Sequence, residues 1–298
     1  MKQQTRGSLM LLLCAMVWGA AFVAQSEGMN YIGPFTMQAA RYFLAGLVLV
    51  PVIFLRDKKG LSVRPAGKQA RHQFVCGVIC GVILCAASII QQYGIIHTTV
   101  GKSGFITTMY IILVPFLGLF VKLRVKLMNW VCAIIALTGL YLLCAGGEGL
   151  SGVNYGDWLT LLCAVFFACH ILFIDRACHD LDGVRLSCVQ FFTASAVSIL
   201  PMLLLEHPSW AAIQSAWLPI VYAGVFSGGV GYTLQILGQQ LVPPTLASMI
   251  LSLESVFAVL FGWIILHQAL SARELFGCLV IFIAIVIAQL PSKDTSAA

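Results

Sequence analysis

The stretch Gly7-Ser8-Leu9-Met10-Leu11-Leu12-Leu13-Cys14-Ala15-Met16-Val17-Trp18-Gly19-Ala20-Ala21-Phe22-Val23-Ala24 carries no charged side chain, and part of it returns later in the chain. Gly7 and Leu12-Leu13-Cys14-Ala15 recur, at one offset of 149, as Gly156 and Leu161-Leu162-Cys163-Ala164. A helix needs about 20 mostly apolar residues to cross the hydrocarbon of a bilayer, and both copies meet that demand. With Lys2 and Arg6 ahead of it, the first copy also fits the pattern of a cleaved signal peptide. The recurrence argues instead for a retained first helix, since cleavage would delete half of a matched pair.

The rest of the chain has the same character. Of 298 residues, 60% are hydrophobic and 9% charged, with mean hydropathy +0.96, whereas an ordinary soluble domain is about one quarter charged. That composition excludes a soluble enzyme. Apolar runs cover roughly 7–24, 33–55, 73–96, 103–121, 127–145, 156–174, 186–205, 217–238, 243–266 and 274–290. Loop chemistry separates them: Ser26-Glu27-Gly28-Met29-Asn30, Arg56-Asp57-Lys58-Lys59-Gly60 and Gly146-Gly147-Glu148-Gly149. The expected fold is an all-α integral membrane protein with ten transmembrane helices.

Assigning the loops alternately to two sides puts Lys2, Arg6, Arg56, Lys58, Lys59, Arg64, Lys68, Arg71, Lys122, Arg124, Lys126, Arg176, Arg185 and Lys293 together. Only Lys102 and Arg273 fall on the other side. Fourteen against two puts both termini in the cytoplasm by the positive-inside rule, which also accounts for the net charge of +6. No basic face of the kind that binds nucleic acid is present. The 11 cysteines lie almost wholly inside apolar runs, so they read as small packing residues rather than disulfide partners.

Further repeats align Gly81 and Gln92 with Gly224 and Gln235 at an offset of 143, and Cys132 with Cys278 at 146. Each half therefore holds five helices. Five is odd, so the second half enters the membrane from the opposite side, the arrangement of inverted-repeat transporters. The expected organisation is a first repeat at 7–145, a linker at 146–155, a second repeat at 156–290 and a cytoplasmic tail at 291–298.

The chain resembles the EamA type of the drug/metabolite transporter superfamily. The resemblance rests on Trp18-Gly19, on Arg41-Tyr42-Phe43-Leu44-Ala45, and on Thr98-Thr99-Val100-Gly101-Lys102-Ser103-Gly104-Phe105. It continues in Leu113-Val114-Pro115, Leu253-Glu254-Ser255-Val256-Phe257-Ala258 and Phe261-Gly262-Trp263, and spans about 7 to 290. Two departures stand out. Ser255 replaces a proline common in the family, and Lys122-Leu123-Arg124 and His267-Gln268 replace the family's frequent Gly-Glu ends. The resemblance implies a carrier of small organic solutes, usually outward, by alternating access. It also implies a cavity lined by the first, third, fourth, sixth, eighth and ninth helices, in the cell membrane.

An ionisable group at bilayer depth costs about 2.5 to 3.5 kcal/mol on insertion scales, so each one is a candidate for function. Glu254 lies midway along the ninth run on a face with Ala247 and Ala258; its partner position in the first half is Ile111. A buried carboxyl is a candidate proton carrier; the competing reading is a packing role. Arg41 shares a helix face with Gln38, and its fork suits a carboxylate or phosphate. Because the second helix is not expected at the cavity, a structural arginine is the favoured reading.

Ser88, Gln91 and Gln92 share a face in the third run, as do Ser103, Thr107 and Tyr110 in the fourth. Tyr232 and Gln235 form a similar pair in the eighth, and Gln92 with Gln235 is repeat-related. These residues, with Glu254, Trp18, His170 and Arg41, form the candidate substrate site. Each amide also fits a plain interhelical hydrogen bond, His170 a satisfied core histidine and Trp18 simple packing. Gly77 and Gly81, and Gly224 and Gly228, repeat the GxxxG spacing of close helix contacts.

An enzyme reading competes. Gly101-Lys102-Ser103-Gly104 with His170 resembles the serine and histidine of rhomboid intramembrane proteases. That fold has no five-plus-five repeat, and the two residues are expected near opposite membrane faces, where they cannot share a proton. No metal-ligand spacing, P-loop or dinucleotide motif accompanies them, so neither metal nor cofactor is expected. The expected function is a secondary transporter, an exporter of an amino-acid-like or other small metabolite. The expected partners are the solute, the lipid bilayer and protons as coupling ion, and a homodimer is compatible with this. A passive channel is the third class.

Overall fold

The computed structural model describes residues 2–62, 64–98, 100–123, 125–144, 154–266 and 271–289. Most of the expected linker, the tail at 291–298 and the His267-Gln268 departure fall outside them. The described residues are helical with short connections: α1 (Lys2–Gly28), α2 (Pro34–Lys58), α3 (Gly67–His97), α4 (Val100–Thr107), α5 (Tyr110–Phe120), α6 (Leu127–Cys144), α7 (Tyr155–Ala177) and α8 (Gly183–Pro201). A short π-helical turn, Met202–Glu206, follows, then α9 (Trp210–Ser215), α10 (Trp217–Val221), a π-helical segment Tyr222–Tyr232, α11 (Thr233–Gln239), α12 (Pro244–Leu251), α13 (Leu253–Leu266) and α14 (Ala272–Gln289).

Eight stretches are long and apolar enough to cross a membrane: Gln3–Gly28, Pro34–Lys58, Gly67–His97, Ser103–Phe120, Tyr155–Ala177, Gly183–Glu206, Trp217–Gln239 and Pro244–Phe261. The fifth and tenth apolar runs form α6 and α14, within which Leu127–Gly139 and Leu275–Ala288 are shorter apolar stretches among the described residues. Eight of the ten expected spans thus meet the length requirement among the described residues.

The outer surface is largely apolar, and many polar side chains are buried inside, within an otherwise hydrophobic core. Phe54, Phe120, Leu127, Leu200 and Phe282 are exposed, while Gln38, Ser88, Gln92, His170 and Gln190 are fully buried. This is the distribution that a lipid solvent selects, because hydrocarbon tolerates apolar side chains outside and requires polar groups to face protein or a cavity.

Several helix starts are capped. Asn154 and Asp157 form a reciprocal capping box on α7, and the Asp182 carboxylate accepts from the amides of Val184 and Arg185 at the start of α8. α2 begins with Pro34 after Gly33, which offers no side chain. Its first amides are satisfied from a distance: Glu206 accepts from Phe35 N at 2.8 Å, Thr36 N at 2.7 Å and Thr36 Oγ1 at 2.6 Å.

The packing is paired. α3 lies along α7 and α8, while the π-helical segment with α11 lies along α1 and α2. α4 and α5 rest on α7, as α12 and α13 rest on α1; α2 pairs with α8, and α6 with α14. Exchanging the two halves maps each pairing onto another or onto itself.

The repeated GxxxG glycines make equivalent contacts. A Cβ on Gly81 would stand 2.6 Å from the Gln190 carbonyl oxygen of α8, and one on its counterpart Gly224 would stand 2.8 Å from the Arg41 carbonyl oxygen of α2. Only a bare backbone permits that approach.

The helices of the fourth and ninth runs are interrupted at matched places. α4 stops at Thr107 and α5 starts at Tyr110; α12 stops at Leu251 and α13 starts at Leu253. The ladder tightens there: Ile111 N bonds Thr108 O, and Ser255 N bonds Ser252 O. Hydroxyls reinforce the turns, Thr108 Oγ1 donating to Phe105 O at 2.8 Å and Ser252 Oγ to Met249 O at 2.7 Å. Ser255 ties the two together, donating to Gly104 O at 3.1 Å.

Candidate solute-binding cavity

A cavity lies where these interruptions meet. Trp18, Ala21, Phe22 and Gln25 of α1 line it, with Arg41 of α2, Gln91 of α3, Thr107 of α4 and Tyr110 of α5. Phe167 and Ile171 of α7, Ser227 and Tyr232 of the π-helical segment, Gln235 of α11 and Glu254 of α13 complete the lining. Its void measures about 470 Å³ with the open mouth included.

Tyr110 and Glu254 are 2% and 4% exposed, and the tyrosine hydroxyl donates to Glu254 Oε1 at 2.9 Å. Each sits in the first turn after its own helix interruption, so the bond joins the two repeat-related breaks. Gln91 Nε2 donates to Thr107 Oγ1 at 3.2 Å beside them.

The aromatic wall is held by its neighbours. Trp18 Nε1 donates to the Ser227 carbonyl at 3.2 Å, and its ring centroid is 4.5 Å from that of Tyr232. Tyr232 in turn meets Tyr42, Phe191 and His170 edge-on at 6.3, 6.1 and 6.3 Å. The π-helical segment that carries Ser227 and Tyr232 has extra backbone slack, a form that recurs at functional sites.

Six of the residues selected from sequence come together here: Trp18, Arg41, Tyr110, Tyr232, Gln235 and Glu254. Gln92 does not line the cavity; it is fully buried with neither amide atom bonded, and its neighbour Gln91 takes the cavity position. His170 also stands behind the wall, its Nε2 paired with Gln190 Oε1 at 3.1 Å. The second helix contributes after all, through Arg41, which corrects the expectation that it stays outside. Gln25, Phe22, Phe167 and Ser227 were not anticipated. A Gln at the end of the first run was one available signal.

Ser103 Oγ has no hydrogen-bond partner and His170 bonds Gln190, so the two do not form a nucleophile–base pair in this structure. Among the described residues no group of three or more His, Cys, Asp or Glu is placed to hold a metal.

Two of the known proteins similar to this chain are named transporters. An Archaeoglobus fulgidus protein named an uncharacterized transporter is 29% identical, over 94% of this chain and 84% of its own length. The uncharacterized inner membrane transporter YedA of Escherichia coli K12 is 25% identical, over 92% and 88%. A chloroplastic WAT1-related protein of Arabidopsis thaliana is 22% identical, over 93% and 68%. A solved crystal structure shares the fold, with a TM-score of 0.78, 17% identity and coverage of 95% of this chain and 96% of that one. The model of the EamA-like transporter family matches twice, at residues 5–145 and 154–289. This chain therefore belongs to the EamA-like transporter family and is a multi-pass membrane protein.

Proposed function

We propose that this protein is a secondary transporter that exports a small, amino-acid-like organic metabolite by alternating access. The observation that carries the reading is the cavity itself. Two buried ionisable residues, Arg41 and Glu254, and a wall of rings converge on one void at the meeting of two interrupted helices. Discontinuous helices at mid-membrane are where such carriers hold their solutes.

In this reading residues 7–145 and 156–290 form two inverted five-helix repeats, joined by 146–155, with ten spans, cytoplasmic termini and the tail at 291–298. Support comes from the exchangeable helix pairing. Further support comes from the basic residues that cluster at one end of the bundle. There Arg56 pairs with Asp182 at 3.0 Å, Arg64 with Asp57 at 3.0 Å, and Arg185 with Asp57, while Arg176 donates to Val121 O.

Trp18, Tyr110, Tyr232, Gln235, Glu254 and Arg41 contact the solute, and Gln92 and His170 support the wall. Glu254 carries the coupling proton, and Tyr110 releases or holds its carboxyl as the two interruptions move. Rocking the halves apart changes the bonds that span them at the cavity, the Tyr110–Glu254 and Ser255–Gly104 contacts among them.

The test is solute counterflow in proteoliposomes, with a radiolabelled panel of amino acids, carboxylates, amines and nucleosides. A carrier gives saturable uptake that unlabelled solute inside accelerates. A passive channel gives uptake that neither saturates nor accumulates.

A further inference from the structure

Arg41 is a charge without a countercharge. It is 4% exposed, and a guanidinium does not shed its proton in a protein. Nη1 donates to Gln25 Oε1 at 2.6 Å, and Nη2 donates to Gln38 Oε1 at 2.8 Å and Tyr42 Oη at 3.2 Å. Its Cζ stands 4.6 Å from the centroid of the Tyr42 ring, while Nε has no hydrogen-bond partner. All these partners are neutral. Among the described residues none of its nitrogens has a carboxylate within 4.0 Å, Glu254 included.

The fork is nonetheless fixed. Gln25 Nε2 is anchored on the Ala21 carbonyl at 3.2 Å and Gln38 Nε2 on the Cys85 carbonyl at 3.0 Å, so both amides turn their oxygens to the arginine. The Tyr42 hydroxyl is held in turn by Ser88 Oγ at 2.6 Å. This shell orients a planar cation on the wall of the cavity without neutralising it, which is preorganisation for an anion.

The cavity is also lined by the rings of Trp18, Phe22, Phe167 and Tyr232, beside Gln91, Thr107, Gln235 and Glu254, and the lining holds no second cation. One positive charge balances a monoanion, and a doubly charged phosphate would lack half its countercharge. The N–H of Nε and one N–H of Nη1 are the donors that the protein leaves unused, and a carboxylate oxygen accepts charge-assisted bonds from such donors.

We propose that Arg41 is the anion-recognition residue of the cavity, and that the solutes moved are organic carboxylates with an apolar body. The carboxylate supplies the countercharge that the chain withholds, and the body lies on the rings. Gln25 and Gln38 act through Arg41 as positioning residues. This rests on the transporter reading above and names the solute class for it.

The test uses the full chain in proteoliposomes and three matched probes: leucine, 4-methylpentanoate, which is leucine without its amine, and leucinamide, which lacks the carboxylate charge. Leucine and 4-methylpentanoate are expected to be carried or to compete, and leucinamide is not. Arg41→Gln is expected to weaken the acids by about tenfold or more relative to wild type, and Arg41→Lys to restore part of the loss.

Should Arg41→Gln fail to fold, the wild-type preference for acid over amide decides. Equal handling of leucine and leucinamide by wild type, or unchanged selectivity in a folded Arg41→Gln, overturns the inference. If neutral or cationic solutes of the panel undergo counterflow while no carboxylate does, the inference fails and the transporter reading stands. If no solute of the panel undergoes counterflow, the transporter reading fails and the inference with it.

Discussion

The hydroxyl of Tyr110 donates to Oε1 of Glu254 across 2.9 Å, and the two residues open the second segments of the two helices that are interrupted at matched places in the halves. Their bond therefore reports the relative position of two structural repeats.

Removing the tyrosine hydroxyl should loosen this junction. Tyr110→Phe keeps the ring and deletes a donor to a buried carboxyl. Interhelical hydrogen bonds in membranes average about 0.6 kcal/mol, while bonds to a charged group in soluble proteins reach about 1.5–3 kcal/mol. A loss of about 1 kcal/mol is the expectation, read by thermal unfolding of the detergent-purified protein. A stability equal to wild type would deny the bond a structural role.

The α2–α8 pair is clamped at its two ends. Glu206 caps α2 through three hydrogen bonds, and at the other end Asp182 caps α8 while pairing with Arg56. Loss of a helix cap costs about 0.5–2 kcal/mol. Glu206→Ala should fall in that range, and hydrogen exchange should rise first at the amides of Phe35 and Thr36. Exchange that rises elsewhere but not at these amides would refute the capping role.

The small-residue contacts give a sharper contrast. A Cβ on Gly81 meets backbone and Thr193 at 2.6 Å, whereas one on Gly104 finds its nearest neighbour, Ser255 Oγ, at 3.8 Å. Overpacking a close contact costs about 1–3 kcal/mol. Gly81→Ala should lower the unfolding temperature clearly, and Gly104→Ala should leave it near wild type. The reverse order would contradict the packing described.

The membrane orientation is checked by reporter fusions. A reporter active only in the cytoplasm should work when fused after residue 298, and one inserted within 146–153 should work only if it functions outside. Both reporters on the same side would rule out five spans in each half.

Much of this architecture was legible because a bilayer enforces simple rules. The recurrence of Leu-Leu-Cys-Ala marks equivalent buried faces, with Cys14, Ala15, Cys163 and Ala164 all fully buried. Glu254 was legible because a carboxyl in an apolar run is costly without a reason.

Other features depend on which way a helix is turned. Successive residues differ by about 100° around a helix, so Gln91 and not Gln92 reaches the cavity. Arg41 faces inward because Gly224 and Gly228 let the π-helical segment settle against α2, a rotation that no single run specifies. Gln25 sits at the end of a run, where a polar residue reads as loop chemistry. The helix interruptions were hidden as well, since they fall at Thr108 and Ser252, while Pro51 and Pro115 sit inside continuous helices.

The most direct test of the account is uptake of the labelled panel into proteoliposomes, with and without an imposed pH gradient, comparing wild type with Glu254→Gln. The account predicts saturable, gradient-stimulated uptake of one solute class by wild type, and uptake by Glu254→Gln that no longer responds to the gradient. Gradient stimulation that persists unchanged in Glu254→Gln would contradict it, because the proton would then travel by a route that does not involve the buried carboxyl.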